Sequence, residues 1–580
     1  MLKKVLKYFS EKENRLVFAL IVLGSICWSL TMVRSGLCFD KGCVSGIGFW
    51  GANGHDGIWH ISLIKSLMRG GFENPVFAGE KLKNYHIGFD LLVSFLSRIS
   101  GVDPMILYFQ VLPPFMALII GLLVYIFMFK WTKSKLSAFW ALFFIYFGGG
   151  LGWVVTLIRE GKIAGDSMFW AQSSATTLIN PPFSLSLIFL LLGLIFFSSY
   201  LNFSRILDLI LIGIFWGLLV QIKIYASVLV LGSLFLLLIY SFLFKKDKFV
   251  LVLKSLVLVF LISVFVYLIS VKSSTGLIQF RPFWFLETMM LFGDRLHWER
   301  FYQAMTNYIL GRIYLKAFLA YVLAFVIFLV GNLGTRIISF LWFIRKDSFL
   351  KKPNLIEAFL FFLTFFGVLL PMLFVQEGTA WNTIQFFYYS LFVFGMFSGI
   401  LVAMIMSVLN KSLSLFLILS FVFLTLPTTV ATMSHYLSRL PQAKISLNEF
   451  NALRFLSSQP KGTVLSLQIP GSFYGNNEFP TPLYLYDSTA YVSAFSGQTV
   501  YLEDIVNLNI MNYNWDERLA KIKVFLSDAN SASARNFLRE SNISYIYLVK
   551  RMGVGLDEKA LNIKNIYDND EVIVYKVLPI

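Results

Sequence analysis

Residues 54–71 have the sequence GHDGIWHISLIKSLMRGG and follow the first long apolar segment of the chain. Asp56 stands between His55 and His60 where an amphipathic helical pattern begins, over about 57–70. It costs free energy to place an acid and two histidines beside a membrane surface. Such residues are therefore usually functional. The stretch therefore indicates chemistry at the membrane face.

The composition is that of an integral membrane protein. Hydrophobic residues make up 57% of the 580 residues and charged residues only 14%, against about 25% charged in soluble proteins. The mean hydropathy is +0.72. The net charge of +17 comes from Lys and Arg in short clusters between apolar runs. Such clusters are typical of membrane orientation signals. The charge therefore does not indicate nucleic-acid binding.

Runs of about 20 apolar residues predict eleven membrane-spanning helices. They lie near 15–34, 106–129, 136–157, 182–199, 205–221, 223–243, 248–271, 316–344, 354–375, 382–407 and 412–432. Alternate connections are short and rich in Lys and Arg, which favours the cytoplasmic side. We therefore expect a multi-pass protein of the plasma membrane with a cytoplasmic N-terminus and, after an odd number of spans, an extracytoplasmic C-terminus.

The other connections are longer and predict two regions outside the membrane. Residues 1–439 are expected to form a transmembrane domain with a large external first loop, 35–105, whose second amphipathic helix lies near 87–100. Residues 440–580, here called the tail, are expected to form a soluble α/β domain that opens with a capping box, Ser446 and Glu449. Its strand-like runs are 463–469, 491–495, 543–549 and 571–577, and its helical patterns are 515–528 and 531–540. The predicted fold class is an α-helical polytopic membrane protein with a C-terminal extracytoplasmic α/β domain.

Three cysteines are too few for a disulfide scaffold. Cys27 lies inside the first apolar segment, where packing is its expected role. Cys38 and Cys43 flank a short turn in the first loop. They could form a disulfide if the loop is extracytoplasmic, and a pair of free thiols is the alternative.

Asp56 is the candidate catalytic residue. The free N–H groups and the dipole at the start of a helix stabilise an ionised carboxylate. Such a carboxylate can remove a proton from a sugar hydroxyl as a general base. The simpler alternative is that Asp56 only caps the helix.

Three histidines of the first loop are candidate substrate-binding residues. His60 follows Asp56 by four residues, which places both on one helical face. Together they could bind a divalent cation, or His60 could contact a substrate or orient Asp56. His55 and His86 lie in the same loop, where His86 could instead anchor the chain at the membrane interface. Further candidate substrate-binding residues in the other external loops are Asp166, Glu377 and Asn382.

A second group of candidates is cationic. Lys223 lies between two predicted spans, and four arginines, Arg281, Arg295, Arg300 and Arg312, lie in the aromatic external loop 272–315. A lipid phosphate needs such donors, and Arg suits bidentate capture of phosphate. Contact with lipid headgroups alone is the alternative. The candidate lipid-phosphate-binding residues are Lys223, Arg281, Arg295 and Arg300.

No nucleotide-binding or metalloprotease motif, CxxC pair or nucleophile-elbow serine is present in the sequence. An extracytoplasmic enzyme without nucleotide machinery would need an activated lipid-linked substrate. The stretch from Asp56 to Gly71 resembles the acid and amphipathic helix of the GT-C superfamily of membrane glycosyltransferases, in its protein O-mannosyltransferase and aminoarabinose transferase branch. Residues 77–86 and 91–101 are similar to the second half of that loop, and residues 491–501 and 572–577 resemble tails of bacterial members.

The resemblance implies an inverting transfer from a polyprenyl-phosphate sugar, with Asp56 as base and lipid phosphate as leaving group. The acceptor would be a glycan, lipid or protein, and the membrane lipids would surround the enzyme. Many members have a second acid next to the first, where this chain has Gly57. The metal requirement and the second acid therefore stay open, and no cofactor is assigned beyond the divalent cation considered for Asp56 and His60. The rival function is a polytopic transporter or lipid flippase, and a further alternative is an inactive scaffold.

Overall fold

The structure is a computed structural model that describes residues 14–270, 278–344, 351–352, 354–467, 478–486 and 488–579. Its helices outside the tail are α1 Arg15–Ser29, α2 Asp56–Met68, α3 Gly88–Ser100, α4 Pro104–Thr132, α5 Lys135–Phe147, α6 Gly152–Glu160, α7 Pro181–Phe203, α8 Ile206–Ile222, α9 Ile224–Phe244, α10 Lys246–Ser270, α11 Trp284–Leu291, α12 Glu299–Leu310, α13 Tyr314–Phe343, α14 Leu355–Leu373, α15 Ala380–Val408 and α16 Lys411–Tyr436. The helices of the tail are α17 Leu447–Ser457, α18 Tyr491–Ser496, α19 Ile505–Ile510, α20 Asp516–Ser527, α21 Ala532–Glu540 and α22 Glu558–Leu561.

Eight helices of the described residues are long and apolar enough to cross a membrane: α4, α7, α9, α10, α13, α14, α15 and α16. The pair α5 and α6, bent by 48° at the intervening break, could form a ninth span. Two shorter apolar helices are α1 and α8. Each of the eleven predicted spans therefore corresponds to one of these segments, and the polytopic helical fold is confirmed. At 15 residues, α1 rises only about 22 Å, which is shorter than a bilayer core of about 30 Å.

Small residues let the first spans approach closely around Tyr146. A Cβ on Gly24 of α1 or Gly121 of α4 would overlap the Tyr146 side chain. The tyrosine hydroxyl donates a hydrogen bond to the Ala117 carbonyl at 2.9 Å, and the Trp28 indole donates to the Tyr146 carbonyl at 2.8 Å. Close approach over small residues is the usual basis of helix packing in membranes, and here it fixes α1, whose continuation carries the first loop.

The strands of the described residues are β1 Leu37–Cys38, β2 Ile47–Phe49, β3 Ile278–Phe280, β4 Phe374–Gln376, β5 Ala443–Ile445, β6 Thr463–Ser466, β7 Thr481–Pro482, β8 Thr499–Val500, β9 Ile543–Val549, β10 Ile563–Asp568 and β11 Val572–Val577. One sheet has the order β1-β2-β5-β7 and joins the first loop to the tail. In its antiparallel β2–β5 pair, Ile47 lies opposite Ile445 and Phe49 opposite Ala443. The tail is therefore attached to the first loop by backbone hydrogen bonds.

The second sheet belongs to the tail and has the order β10-β11-β9-β6-β8. Strand β6 is parallel to β8 and β9, whereas β9, β11 and β10 are antiparallel neighbours. Helix α17 begins as predicted at Ser446, whose Oγ accepts a hydrogen bond from the Glu449 backbone N–H at 3.0 Å. The α/β character of the tail is confirmed, while the division of the chain at residue 440 stays a prediction.

One predicted strand of the tail is wrong. Residues 491–495 form the buried helix α18, which ends at Gly497 with φ of 63°. The helix packs on α2, where the Ser493 hydroxyl donates to Ser62 Oγ at 3.1 Å. Its six residues are buried, so the run lacks the alternation that separates a half-buried strand from a buried helix.

The two cysteines of the first loop, Cys38 and Cys43, form a disulfide. The bridge closes the short turn that leads from β1 to β2. Cys27 is a free, partly buried cysteine inside α1, in agreement with the expected packing role.

Candidate functional site

A cavity of about 530 Å³ lies where the first loop, the tail and the membrane helices meet. The first loop contributes His55, Asp56, His60 and His86 to its wall. The loop before α7, the α8–α9 junction and the turn before α15 contribute polar groups, and the tail contributes Val506, Asn507 and Ile510 of α19. Apolar lining residues from the membrane helices include Ile145, Leu187 and Leu391. A concave site with apolar lining residues and a few polar groups is typical of a ligand-binding site.

Asp56 is the first residue of α2, and its neighbour His55 holds its side chain in place. Its Oδ1 atom accepts a hydrogen bond from His55 Nδ1 at 2.9 Å, and its side chain keeps 46% of its surface accessible. The other ring nitrogen of His55, Nε2, donates to Asp504 Oδ1 at 3.1 Å. Asp504 comes from the tail and its side chain is 0% exposed. One imidazole thus bridges two carboxylates from distant parts of the chain.

His55 and Asp504 are both charged at neutral pH. Burial lowers the pKa of His55, but the charges and hydrogen bonds of Asp504 and Asp56 outweigh burial and raise that pKa well above its usual value. Burial also raises the pKa of Asp504, and the charge and hydrogen bond of His55 reverse this effect and leave the pKa lowered. His55 is therefore an imidazolium that faces an ionised Asp504, and Asp56 receives a charge-assisted hydrogen bond.

His60 has a different partner from the one predicted by its spacing. It lies one turn after Asp56 on α2, but its Nδ1 atom donates to Oδ1 of Asp90 on α3 at 2.8 Å. Both side chains are buried, at 5% and 0% exposure. Burial raises the pKa of Asp90, and the charge and hydrogen bond of His60 offset part of that rise. The pair joins the two amphipathic helices of the first loop beside the cavity.

His86 also lines the cavity. Burial, together with the nearby charge of Lys223, holds its pKa well below the usual value, so the ring is neutral. The buried Nδ1 atom has no hydrogen-bond partner among the described residues. The assignment of His86 to substrate binding stays a prediction.

Lys223 stands at the break between α8 and α9 and is only 3% exposed. Its ammonium donates a hydrogen bond to Asn180 Oδ1 at 3.3 Å and lies over the Tyr225 ring at 5.6 Å. All three side chains line the cavity. No carboxylate of the described residues forms an ion pair with Lys223, although the charge of Asp56, another lining residue, acts on it. The cavity thus combines an accessible acid with a buried cation.

Arg336 is a second cation of the cavity wall. It lies in the 3-10 stretch Gly334–Phe340 within α13 and is 2% exposed. Its Nε and Nη2 atoms donate to the backbone carbonyls of Leu333 and Asn332 at 3.2 and 3.0 Å. In the described part of the chain these two carbonyls are the hydrogen-bond acceptors of the guanidinium. An arginine inside an apolar run marks a functional candidate. Arg336 was not among the predicted site residues because those were chosen from the loops between the predicted spans.

The remaining predicted site residues lie in three different settings. Asn382 lines the cavity and donates to Gln376 Oε1 at 2.9 Å. Asp166 lies behind the wall, where its Oδ1 accepts from the backbone of Ser173, a lining residue, at 2.7 Å. Glu377 is exposed on the turn before α15. It is absent from the described cavity wall.

The four arginines of the aromatic loop, Arg281, Arg295, Arg300 and Arg312, are also absent from the described cavity wall. Arg281 and Arg300 are exposed. Arg295 stacks on Trp170 at 4.2 Å and pairs with Asp294 at 3.0 Å. The structure therefore brings together Asp56, the three histidines, Asn382 and Lys223, and leaves the arginines outside this group.

The described residues do not supply an evident metal-binding set. No group of three or more His, Cys, Asp or Glu side chains among them is placed to hold a metal ion. His60 directs Nδ1 to Asp90, and both ring nitrogens of His55 are engaged. The pairing of Asp56 and His60 around a divalent cation stays a prediction, and no step below passes through a metal.

Comparison with known proteins identifies the fold. The archaeal oligosaccharyltransferase AglB from Archaeoglobus fulgidus, in complex with an inhibitory peptide and a dolichol-phosphate, superposes with a TM-score of 0.52 at 12% identity over 94% of this chain and 70% of that chain. A second structure of that enzyme, in complex with Zn and sulfate, gives 0.53 at 14% identity over 92% and 68%. The chain therefore has the fold of these oligosaccharyltransferase structures.

A weaker similarity is to ArnT from Cupriavidus metallidurans bound to undecaprenyl phosphate, with a TM-score of 0.43 and 10% identity over 97% of this chain and 98% of that chain. The fold assignment rests on the two AglB structures. No family model matches the sequence, and no curated protein matches it.

Proposed function

We propose that the chain is an inverting membrane glycosyltransferase that moves a sugar from a polyprenyl-phosphate donor to an extracytoplasmic glycan, lipid or protein. The observation that carries the proposal is the placement of accessible Asp56 and buried Lys223 on the wall of one cavity. The GT-C fold and the dolichol-phosphate in the AglB complex support the choice of donor class.

Asp56 acts as the general base in this proposal. It takes the proton of an acceptor hydroxyl as the hydroxyl oxygen attacks the anomeric carbon of the sugar. The bond from that carbon to the phosphate oxygen breaks on the opposite face, and its electron pair leaves with the polyprenyl phosphate. One displacement gives inversion. The charge-assisted hydrogen bond from His55 keeps the Asp56 carboxylate oriented before the proton arrives.

Lys223 receives the phosphate. Negative charge grows on the leaving oxygen in the transition state, and a fixed cation stabilises it most where water is scarce. The Lys223 ammonium meets both conditions because it is buried and held by Asn180. Arg336, with its buried guanidinium on the same wall, is the second candidate for this contact, and Arg281, Arg295 and Arg300 become secondary.

The site is assigned to the extracytoplasmic side, with the N-terminus in the cytoplasm. The support is the positive charge of the alternate loops, which lie opposite the first loop and the tail. Polyprenyl lipids would enter from the bilayer between the helices. In this arrangement residues 1–439 hold the donor, and residues 440–580 close the cavity above it.

The test is mass spectrometry of lipids retained by the purified protein, followed by turnover in the same sample. We expect a polyprenyl-phosphate sugar to co-purify, and free polyprenyl phosphate to appear when acceptor-containing envelope extract is added. Retention of the lipid without any release of polyprenyl phosphate would instead support a lipid flippase. Absence of any sugar-bearing prenyl lipid, with no release from an added synthetic polyprenyl-phosphate hexose, would contradict the proposal.

A further inference from the structure

The tail segment 499–507 carries Asp504 to the candidate site. Its backbone is bonded to the first loop at three points: Ala78 N–H to the Val500 carbonyl at 2.9 Å, Val500 N–H to the Pro75 carbonyl at 2.8 Å, and Glu503 N–H to the Val76 carbonyl at 3.0 Å. The next residue is Asp504. The backbone that carries the Asp504 carboxylate is therefore fixed against the first loop, close to His55.

Asp504 is itself held by two further residues of the tail. Its Oδ1 atom accepts from the Ser488 hydroxyl at 2.6 Å, and its Oδ2 atom accepts from the Asn507 side chain at 2.8 Å. The residue adopts a left-handed conformation with φ of 50°, which is uncommon outside glycine. A buried carboxylate with both oxygens bonded has one orientation, and in that orientation it faces His55 Nε2.

We propose that Asp504 is a positioning residue for the transfer reaction, which holds His55 so that the imidazole in turn orients the catalytic Asp56. This inference rests on the proposed function, because it assigns Asp504 a part in the same reaction. It makes the tail a component of the catalytic site. Nothing in the local sequence around Asp56 could supply this contact, since 449 residues separate His55 from Asp504.

The electrostatics agree with this assignment. The charged groups that act on His55 are Asp504 from the tail and Asp56 from α2, and both raise its pKa. Loss of the Asp504 charge would leave the ring buried with one carboxylate instead of two. A ring that loses its proton can donate only one hydrogen bond, so Asp56 and residue 504 would compete for the remaining N–H.

Glu503 provides a matched control. It is the adjacent residue of the same segment, is 3% exposed, and accepts hydrogen bonds from the Val492 and Ser493 backbone at 2.8 and 3.2 Å. Burial raises its pKa to about 8, so it is protonated at neutral pH. Glu503→Gln therefore changes a buried acid of the tail to an amide without removing a charge that acts on His55.

The experiment is a ¹⁵N-histidine NMR titration of the full-length protein in nanodiscs. The chain has only five histidines, so the His55 signal can be assigned by its loss in His55→Asn. In Asp504→Asn we expect the midpoint of the His55 titration to fall by about 1–3 pH units, the usual effect of one adjacent opposite charge. Glu503→Gln should leave it unchanged. Asp504→Ser removes the same charge and replaces Asp504→Asn if the latter does not fold.

Turnover of a synthetic polyprenyl-phosphate hexose is measured on the same samples. Asp504→Asn should lower kcat about 10–100-fold, as loss of an outer positioning partner does, with KM for the donor unchanged. In combination with His55→Asn it should add little further loss, because both act through one contact. An unchanged His55 midpoint in the folded Asp504 variant would overturn the inference even if turnover fell. A shifted midpoint in a protein that never transfers sugar would contradict the proposed function and leave the coupling intact.

Discussion

The Lys223 ammonium donates a hydrogen bond to Asn180 Oδ1 at 3.3 Å, and the same oxygen accepts the Phe183 backbone N–H at 3.1 Å. Asn180 thereby caps α7 and fixes the cation between two spans. An ammonium has three donors, and among the residues that the structure describes Asn180 accepts a hydrogen bond from one of them. The others are available to an anion in the cavity that both residues line.

Lys223→Met should weaken binding of a synthetic polyprenyl-phosphate hexose. Loss of a hydrogen bond to a charged group costs about 1.5–3 kcal/mol, which is a rise in Kd of roughly 10–150-fold. The measurement is a titration of purified protein in nanodiscs. Lys411→Met, at the exposed first residue of α16, should bind as wild type. Equal Kd values for all three proteins would remove Lys223 from the phosphate site and leave Arg336→Met as the next variant.

The stability of the protein should fall as the pH rises from about 5 to 8.5. Burial and the nearby Glu571 raise the pKa of Glu449 to about 8. The folded state therefore holds a proton that the unfolded state has lost above about pH 4.5, and stability falls with pH wherever the folded state binds more protons. Glu449→Gln cannot ionise, so the decrease in melting temperature over this range should be smaller than in wild type.

Glu540→Gln is the control for that titration, since Glu540 is an exposed glutamate at the end of α21. The Glu540→Gln variant should show the same decrease in melting temperature with rising pH as wild type. A decrease of equal size in the Glu449 variant would mean that this carboxyl is ionised in the folded protein at neutral pH.

The tail should face the extracytoplasmic side. In a background with Cys27→Ala, a cysteine at exposed Ser533 of α21 should react with a membrane-impermeant maleimide in intact cells. A cysteine at exposed Ser412, at the start of α16 beside Lys411, should react only after the membrane is permeabilised. Neither residue is the N-cap of its helix, so both helices keep their caps. Labelling of the Ser412 variant alone in intact cells would invert the predicted topology.

Hydropathy predicted the membrane part well because each span must present a continuous apolar surface to lipid, whatever it packs against. The short helix 491–496 was missed because all its residues are buried, and a short apolar run does not reveal its period. The break between α5 and α6 was also missed. It follows Phe147 at the glycine run 148–150, where a Cβ on Gly149 would overlap Thr428.

The candidate site was predictable only in its local part. Asp56, the first-loop histidines and Lys223 carry signals in their own surroundings, namely a helix start and a charge between apolar runs. Asp504 and Asp90 have no such signal, because their partners His55 and His60 are distant in sequence and the contacts arise from packing of the tail and of α3. Arg336 had a signal, since an arginine inside a span is rare.

The central claim is that Asp56 is the general base of a sugar transfer. Asp56→Asn is nearly isosteric but cannot take a proton, so it should lower turnover of a polyprenyl-phosphate hexose by roughly 10²–10⁴-fold. The Kd for that donor should stay close to the wild-type value, because the base contacts the acceptor and not the phosphate. Turnover within about threefold of wild type, in a variant that folds and binds the donor, would contradict the assignment of Asp56.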